Sequence, residues 1–211
     1  MKSFLEIIEE AKQGEKHAVV TFGRMNPPTT GHLKVIDKVK EIAKKVGGSH
    51  HIIVSHSQDT RKNPLSSQQK IKHLKRYSPG TNIESASKEQ PKIFHHASLL
   101  YKKGVTHLHV VVGSDRVKKF REDLNRYNGV AGPHGHYKFH KITVHSAGQR
   151  DPDAEGSEGM SGTKMREHAK NKNFHEFRKG VPAHVSDTHA KELMHDTRKG
   201  MGLHESADHG R

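Results

Sequence analysis

Five short runs rich in β-branched and apolar residues alternate with longer stretches whose apolar residues recur at helical spacing, and this alternation leaves few folds open. The strand-like runs are HAVVTF (17–22), HHIIVS (50–55), NIESA (82–86), HLHVVVG (107–113) and KFHKITVHSA (138–147). Between the first two, Leu33, Ile36, Val39, Ala43 and Val46 mark one face of a helix that Gly47 stops. Ser66 begins a second helix with Ile71 and Leu74 turned inward. Pro91 opens a third through Ile93, Ala97 and Leu100, and a fourth spans about 115–127. Strands and helices in this order predict an α/β fold: a Rossmann-like, doubly wound parallel sheet of about five strands with C-terminal helices.

Two helical segments, SGTKMREHAK and NFHEFRKG, follow the sheet. Beyond Val181 the apolar content falls. The expected organisation is one domain over 1–180, then a peripheral, basic, His-rich tail over 181–211 with at most a loose helix at 187–198. Ser3 and Glu6 fit a capping box for a short N-terminal helix.

Charge narrows the partners. Lys and Arg number 37 against 23 Asp and Glu, a formal net charge of +14, and 21 histidines can add to it in mild acid. Such a balance favours polyanions: nucleotides, phosphorylated substrates, nucleic acid or an acidic membrane surface. With no cysteine, disulfides and thiolate metal sites are excluded. No apolar run approaches the roughly 18 residues of a membrane span, and Lys2, Glu6 and Glu9 do not fit a signal peptide, so a soluble cytoplasmic protein is expected.

The stretch GRMNPPTTGH (23–32) lies where a parallel sheet binds ligands, after the first strand. Gly23 allows close backbone approach, and Pro27 and Pro28 stiffen the loop. Thr30, Gly31 and His32 fall in the first turn of the next helix, whose unpaired N–H groups and dipole attract an anion. His32 and Lys34 bring donors or positive charge to that same end, a conflict that a bound phosphate would relieve. MSGTKMREH (160–168) repeats the pattern: Ser161 is a good N-cap, yet Lys164 and Arg166 crowd the first turn with charge of the wrong sign for the dipole. Each segment alone also reads as an ordinary turn or a solvated helix start. Together they favour phosphate.

The pair PPTTGH and SGTKMR resembles the two signatures of the nucleotidylyltransferase superfamily, the HIGH-motif, cytidylyltransferase-like group that includes nicotinamide-nucleotide and phosphopantetheine adenylyltransferases. Thr29, Thr30, Gly31 and His32 match its first signature; Ser161, Thr163 and Arg166 match its second. The resemblance implies that His32 and Thr29 meet the α- and β-phosphates of a nucleoside triphosphate. Lys164 and Arg166 would hold the leaving pyrophosphate, helped by Ser161 and Thr163. By the same resemblance Gly23, Arg24, Met25, Thr30 and Gly31 belong to the nucleotide-binding loop. Gly113 and Asp115 of VVGSDRVKKF would line the nucleotide pocket, and Lys62 would meet a phosphorylated acceptor. Mg²⁺ would ride on the phosphates, ATP is favoured over CTP, and a small phosphomonoester such as nicotinamide mononucleotide is the favoured acceptor. Three departures stand out: Thr29 where many members carry histidine, Met25-Asn26 where an aromatic is common, and glycine in the middle of SGT.

Other classes fare less well. A nucleic-acid-binding protein fits the charge, but aromatics are only 5% and no recognition motif is present. A catalytically silent protein on the same fold is the other alternative. No HExxH spacing occurs, and neighbours on a strand point to opposite faces, so His50 and His51 cannot chelate one ion. These two, His95-His96, and His134 with His136 read as solvated or edge histidines, and no metal site of the protein's own is expected.

Overall fold

The computed structural model describes residues 14–148 and 160–203. The N-terminal helix expected around Ser3 and Glu6, the acidic loop over 149–159, and residues 204–211 lie outside the described residues.

Five strands form one sheet: β1 His17–Gly23, β2 Ser49–Val54, β3 Ile83–Ser85, β4 His107–Val112 and β5 Lys141–Ser146. Their spatial order is β3-β2-β1-β4-β5 and every pairing is parallel, as expected for a doubly wound sheet. The helices are α1 Thr30–Val46, α2 Ser67–Tyr77, α3 Ile93–Lys102, α4 Val117–Arg126, α5 Gly162–Lys170, α6 Phe174–Lys179 and α7 Asp187–Gly200. A 3₁₀ turn, Ser114–Arg116, precedes α4. Pro91 does not itself open α3; Lys92, in extended backbone, is the N-cap.

Alternate strand residues feed two cores, because successive side chains point to opposite faces. Val19, Ile52, Val54 and Val111 pack with α1, α2, α5, α6 and α7. Ala18, Val20, Ile53, Leu108, Val110 and Val144 pack with α3 and α4 on the other face. The glycine-rich loop before β5 belongs to this second core: Tyr137 is fully buried and its hydroxyl donates to the Leu124 carbonyl at 2.8 Å.

Two expectations need correcting. The segment after Val181 is not peripheral. Val181, Val185, Ala190, Leu193 and Met194 are buried in the core that contains Val19. On α7 the buried stripe is Ala190, Leu193, Met194 and Thr197, an i, i+3, i+4, i+7 face too sparse in large apolar residues to stand out by composition. Polar contacts complete the docking. Lys72 and Arg76 of α2 donate to Glu192 at 2.7 and 2.6 Å, His73 pairs with Asp196 at 2.8 Å, and Arg198 donates to the Ala169 carbonyl that ends α5. Second, His96 is not a solvated histidine; the register of α3 turns it toward the sheet, 7% exposed, with its ring 6.0 Å from that of Phe22.

Candidate nucleotide-binding site

The chain leaves β1 for β2 on one side and reaches β4 on the other, so the order reverses between β1 and β4. In doubly wound sheets the ligand-binding crevice lies at such a switch point, outside the carboxyl ends of the strands, and here Gly23 ends β1 and Gly113 follows β4 at that place. Residues 25–29 after Gly23 are all buried, although they form a loop. Met25 holds a left-handed φ of 46° and folds its side chain back into the core beneath Gly23. The Asn26–Pro27 bond is cis.

The buried side chain of Asn26 locks the loop. Its Nδ2 donates to the Leu65 carbonyl and its Oδ1 accepts from the Leu65 N–H, both at 2.9 Å. Tyr77 donates its hydroxyl to the Pro28 carbonyl at 3.2 Å, and the Thr30 N–H bonds the Gly180 carbonyl at 2.9 Å. The loop is thus held from α2, from the segment before it, and from the end of α6.

Thr29 is the N-cap of α1, in extended backbone with φ −132°. Its N–H donates to Nδ1 of His32 at 3.0 Å. A backbone N–H can only donate, so Nδ1 is an acceptor and neutral His32 carries its proton on Nε2. The ring is thereby prepared to offer a donor. The first turn of α1 contains no acidic residue.

Helix α5 begins against the same loop. Ser161 caps it by accepting from the Lys164 N–H at 3.1 Å. Arg166 Nη1 donates to the Asn26 carbonyl at 2.7 Å, and its Nη2 donates to Thr163 Oγ1 at 3.1 Å. Gly162 accounts for the departure in SGT: a Cβ there would stand 3.3 Å from the Asn26 oxygen and 3.4 Å from Arg166 Nη1. The close approach of the two segments leaves little room for a side chain at this position. Burial, and then the charge of Arg24, lower the pKa of Arg166, while Asp59 opposes them. Cations therefore crowd this rim. Asp59 does not neutralise it freely, since its carboxylate accepts from the Lys62 N–H at 2.6 Å and the Arg61 N–H at 2.8 Å and is held at about 2, chiefly by the Lys62 bond and then by the Asn63 side chain.

The two signature segments, Thr29 to His32 and Ser161 to Arg166, are thus brought together through Asn26. Gly113 and Asp115 stand at the end of the neighbouring strand, with Asp115 exposed. Lys62 lies on the exposed loop between β2 and α2. Arg24 is exposed beside Arg166, whereas Met25 is buried, only 3% exposed, with its side chain in the core. Two residues near the site escaped the sequence reading. In the sequence Asn26 stands out only as a departure from an aromatic. Lys70 is fully buried in α2 and donates to the carbonyl and hydroxyl of Ser55 at the end of β2, and burial lowers its pKa to about 8. The signal was present, because Lys70 shares the inward stripe Ser67, Lys70, Leu74, Tyr77.

A doubly wound parallel sheet with two cation-bearing helix starts at its carboxyl rim belongs to the class of Rossmann-like nucleotide-handling proteins. Residues 20–168 match the cytidylyltransferase-like family, and the chain belongs to it. No curated protein matches it. Among solved structures, it is similar to Thermotoga maritima TmcAL, solved with alpha-thio ATP bound: TM-score 0.51, 16% identity, covering 89% of this chain and 57% of that one. The chain thus spans little more than half of TmcAL. The tryptophanyl-tRNA synthetase of Aeropyrum pernix K1 matches at TM-score 0.44 and 16% identity, over 94% of this chain and 75% of that one. Among the described residues no helix is long and apolar enough to cross a membrane.

Proposed function

We propose that the protein is a nucleotidyltransferase that transfers a nucleoside monophosphate, AMP in preference to CMP, from the triphosphate to a small phosphorylated acceptor, releasing pyrophosphate. The observation that carries this reading is the 2.7 Å bond from Arg166 to the Asn26 carbonyl, which joins two helix N-termini at one rim. An acceptor oxygen attacks the α-phosphorus in line, and the protein supplies orientation and charge rather than a covalent nucleophile. His32, through Nε2–H, and Thr29 bind the α- and β-phosphates. Lys164 and Arg166 bind the β- and γ-phosphates that leave, with Ser161 and Thr163 beside them. Gly23, Gly31 and Gly113 keep the backbone open to the nucleotide, Asp115 lies toward its sugar and base, and Lys62 meets the acceptor's phosphate.

Mg²⁺ fits this arrangement as an ion carried by the triphosphate. The nearby Asp59 carboxylate is already taken up by hydrogen bonds within its own loop, which leaves the phosphate oxygens as the ion's main ligands in this reading. Bound there, the ion would neutralise charge on the phosphates. The ATP bound to TmcAL as its thio analogue favours ATP as the triphosphate here.

The test is a matrix of the four common nucleoside triphosphates against phosphorylated acceptors, read by pyrophosphate release with Mg²⁺. ATP with a phosphomonoester should turn over. His32→Ala should lower kcat about 10²–10³-fold, the loss of about 2.7–4 kcal/mol that follows removal of one oxyanion-stabilising donor. Near-native turnover by His32→Ala would remove the assignment. Tight retention of RNA or DNA with no turnover on any pair would instead favour a nucleic-acid-binding role.

A further inference from the structure

At the opposite end of the sheet from the crevice, three side chains converge that the nucleotide chemistry does not use. His17 begins β1 and His107 begins β4, and the two are register partners. Glu15 precedes β1 by two residues and so falls on the same side of the chain as His17. Pairing holds the intervening residue: the Lys16 N–H bonds Thr106 Oγ1 at 2.9 Å, and the Lys16 carbonyl accepts from the Thr106 and His107 N–H groups at 2.9 and 3.1 Å. His17 Nε2 lies 3.1 Å from one Glu15 oxygen, and His107 Nε2 lies 3.8 Å from the other. The two imidazoles stack with centroids 4.6 Å apart. One ligand atom from each of the three residues lies within 4.8 Å of the others. With metal bonds of about 2.0–2.1 Å a tetrahedral ion holds its ligand atoms roughly 3.4 Å apart, so closure requires side-chain shifts of up to about 1.5 Å.

The hydrogen bonds behind the rings make this more than a chance meeting. His17 Nδ1 meets His109 Nε2 at 2.9 Å, and His109 Nδ1 meets His145 Nε2 at 3.0 Å. If His17 ligates through Nε2, its proton sits on Nδ1 and donates to His109, which then donates onward to His145. One tautomer set satisfies the whole row. His107 behaves alike: its Nδ1 meets Thr106 Oγ1 at 2.9 Å, and that hydroxyl can donate on to the Lys16 carbonyl at 3.3 Å. Both rings therefore have their second nitrogen engaged, which orients the first, as in established histidine metal sites. The histidines are largely buried, with 15% of each side chain exposed, and the glutamate is open at 42%, which leaves a path from solvent.

We propose that Glu15, His17 and His107 bind a divalent transition-metal ion, best matched by Zn²⁺, at the amino-terminal end of the sheet. Two imidazoles and a carboxylate suit Zn²⁺ over Mg²⁺ or Ca²⁺, and three protein ligands leave a fourth position for water. His17 and Gly23 are six residues apart along β1, so about 20 Å of strand separates this ion from the triphosphate crevice. The ion would tie the segment before β1 to the start of β4.

The experiment uses the tag-free full chain, dialysed against chelator and then titrated with Co²⁺ and Zn²⁺. Co²⁺ should bind with one tight equivalent and the visible absorption of a four-coordinate site, and Zn²⁺ should displace it. Zn²⁺ should also raise Tm. His107→Gln and the more conservative, solvent-side Glu15→Gln should each weaken affinity tenfold or more and abolish the Tm rise, with unchanged far-ultraviolet circular dichroism; His50→Gln should do neither. Equal affinity and equal Tm response in wild type, His107→Gln and Glu15→Gln would overturn the site, because the ion would then sit on other histidines. Failure to retain any equivalent would overturn it too, leaving Glu15 as a plain ion-pair partner of the two rings. Neither result bears on nucleotide turnover.

Discussion

Asn26 does the work of two residues: its amide pairs both polar groups of Leu65, and its own carbonyl receives Arg166. Asn26→Ala would leave the N–H and C=O of Leu65 without their partner in a buried setting, at about 1–3 kcal/mol for each orphaned group. Urea unfolding should report that loss. Turnover should fall further than stability at 25 °C accounts for, because Arg166 loses its anchor when the loop shifts. A stability change under about 0.5 kcal/mol would mean that the loop is held by its other bonds. Nothing about an asparagine before two prolines announces this role. It depends on where residue 65 arrives, thirty-nine positions later.

Among the elements, α7 changes the description of the chain most. Its stripe of Ala190, Leu193, Met194 and Thr197 covers the core, and its carboxylates meet α2. Hydrogen bonds from Lys72, then Arg76, hold the Glu192 carboxyl at about 2, against an ordinary 4.5. A depressed carboxyl stabilises the fold fully above the unfolded value and loses that contribution as pH falls through the folded one. The stability difference between wild type and Glu192→Gln should therefore be constant above pH 4.5 and shrink between pH 4.5 and about 2. Its size should stay under about 1 kcal/mol, because the pair is partly exposed and screened. Denaturant melts across that range test it; a difference that grows on acidification would contradict the pairing.

For the molecule as a whole, the charge and the rim act together. With a formal net charge of +14 and Arg24 beside Arg166 at the crevice, association of a nucleoside triphosphate should be electrostatically steered. Its on-rate should fall about tenfold on raising salt from low ionic strength to 0.5 M, with a smaller change in the off-rate, as stopped-flow binding would show. An on-rate indifferent to salt would mean that distant charges do not reach the site.

Much of this architecture was legible in the chain itself. The strand-like runs fall within a few residues of β1 to β5, and the two signatures open α1 and α5, because periodicity and capping are local properties. What stayed hidden depended on residues far apart. His17, His107, His109 and His145 come from three strands and read as unrelated histidines until the order β1-β4-β5 sets them in a row. The same holds for Asn26 with Leu65 and for α7 with α2. Local periodicity was enough to mark the strands, the first helices and their apolar faces. Which faces meet, and that α7 and His96 are buried at all, follows from the packed fold, since crossover connections set strand order and no local pattern encodes a partner in another element.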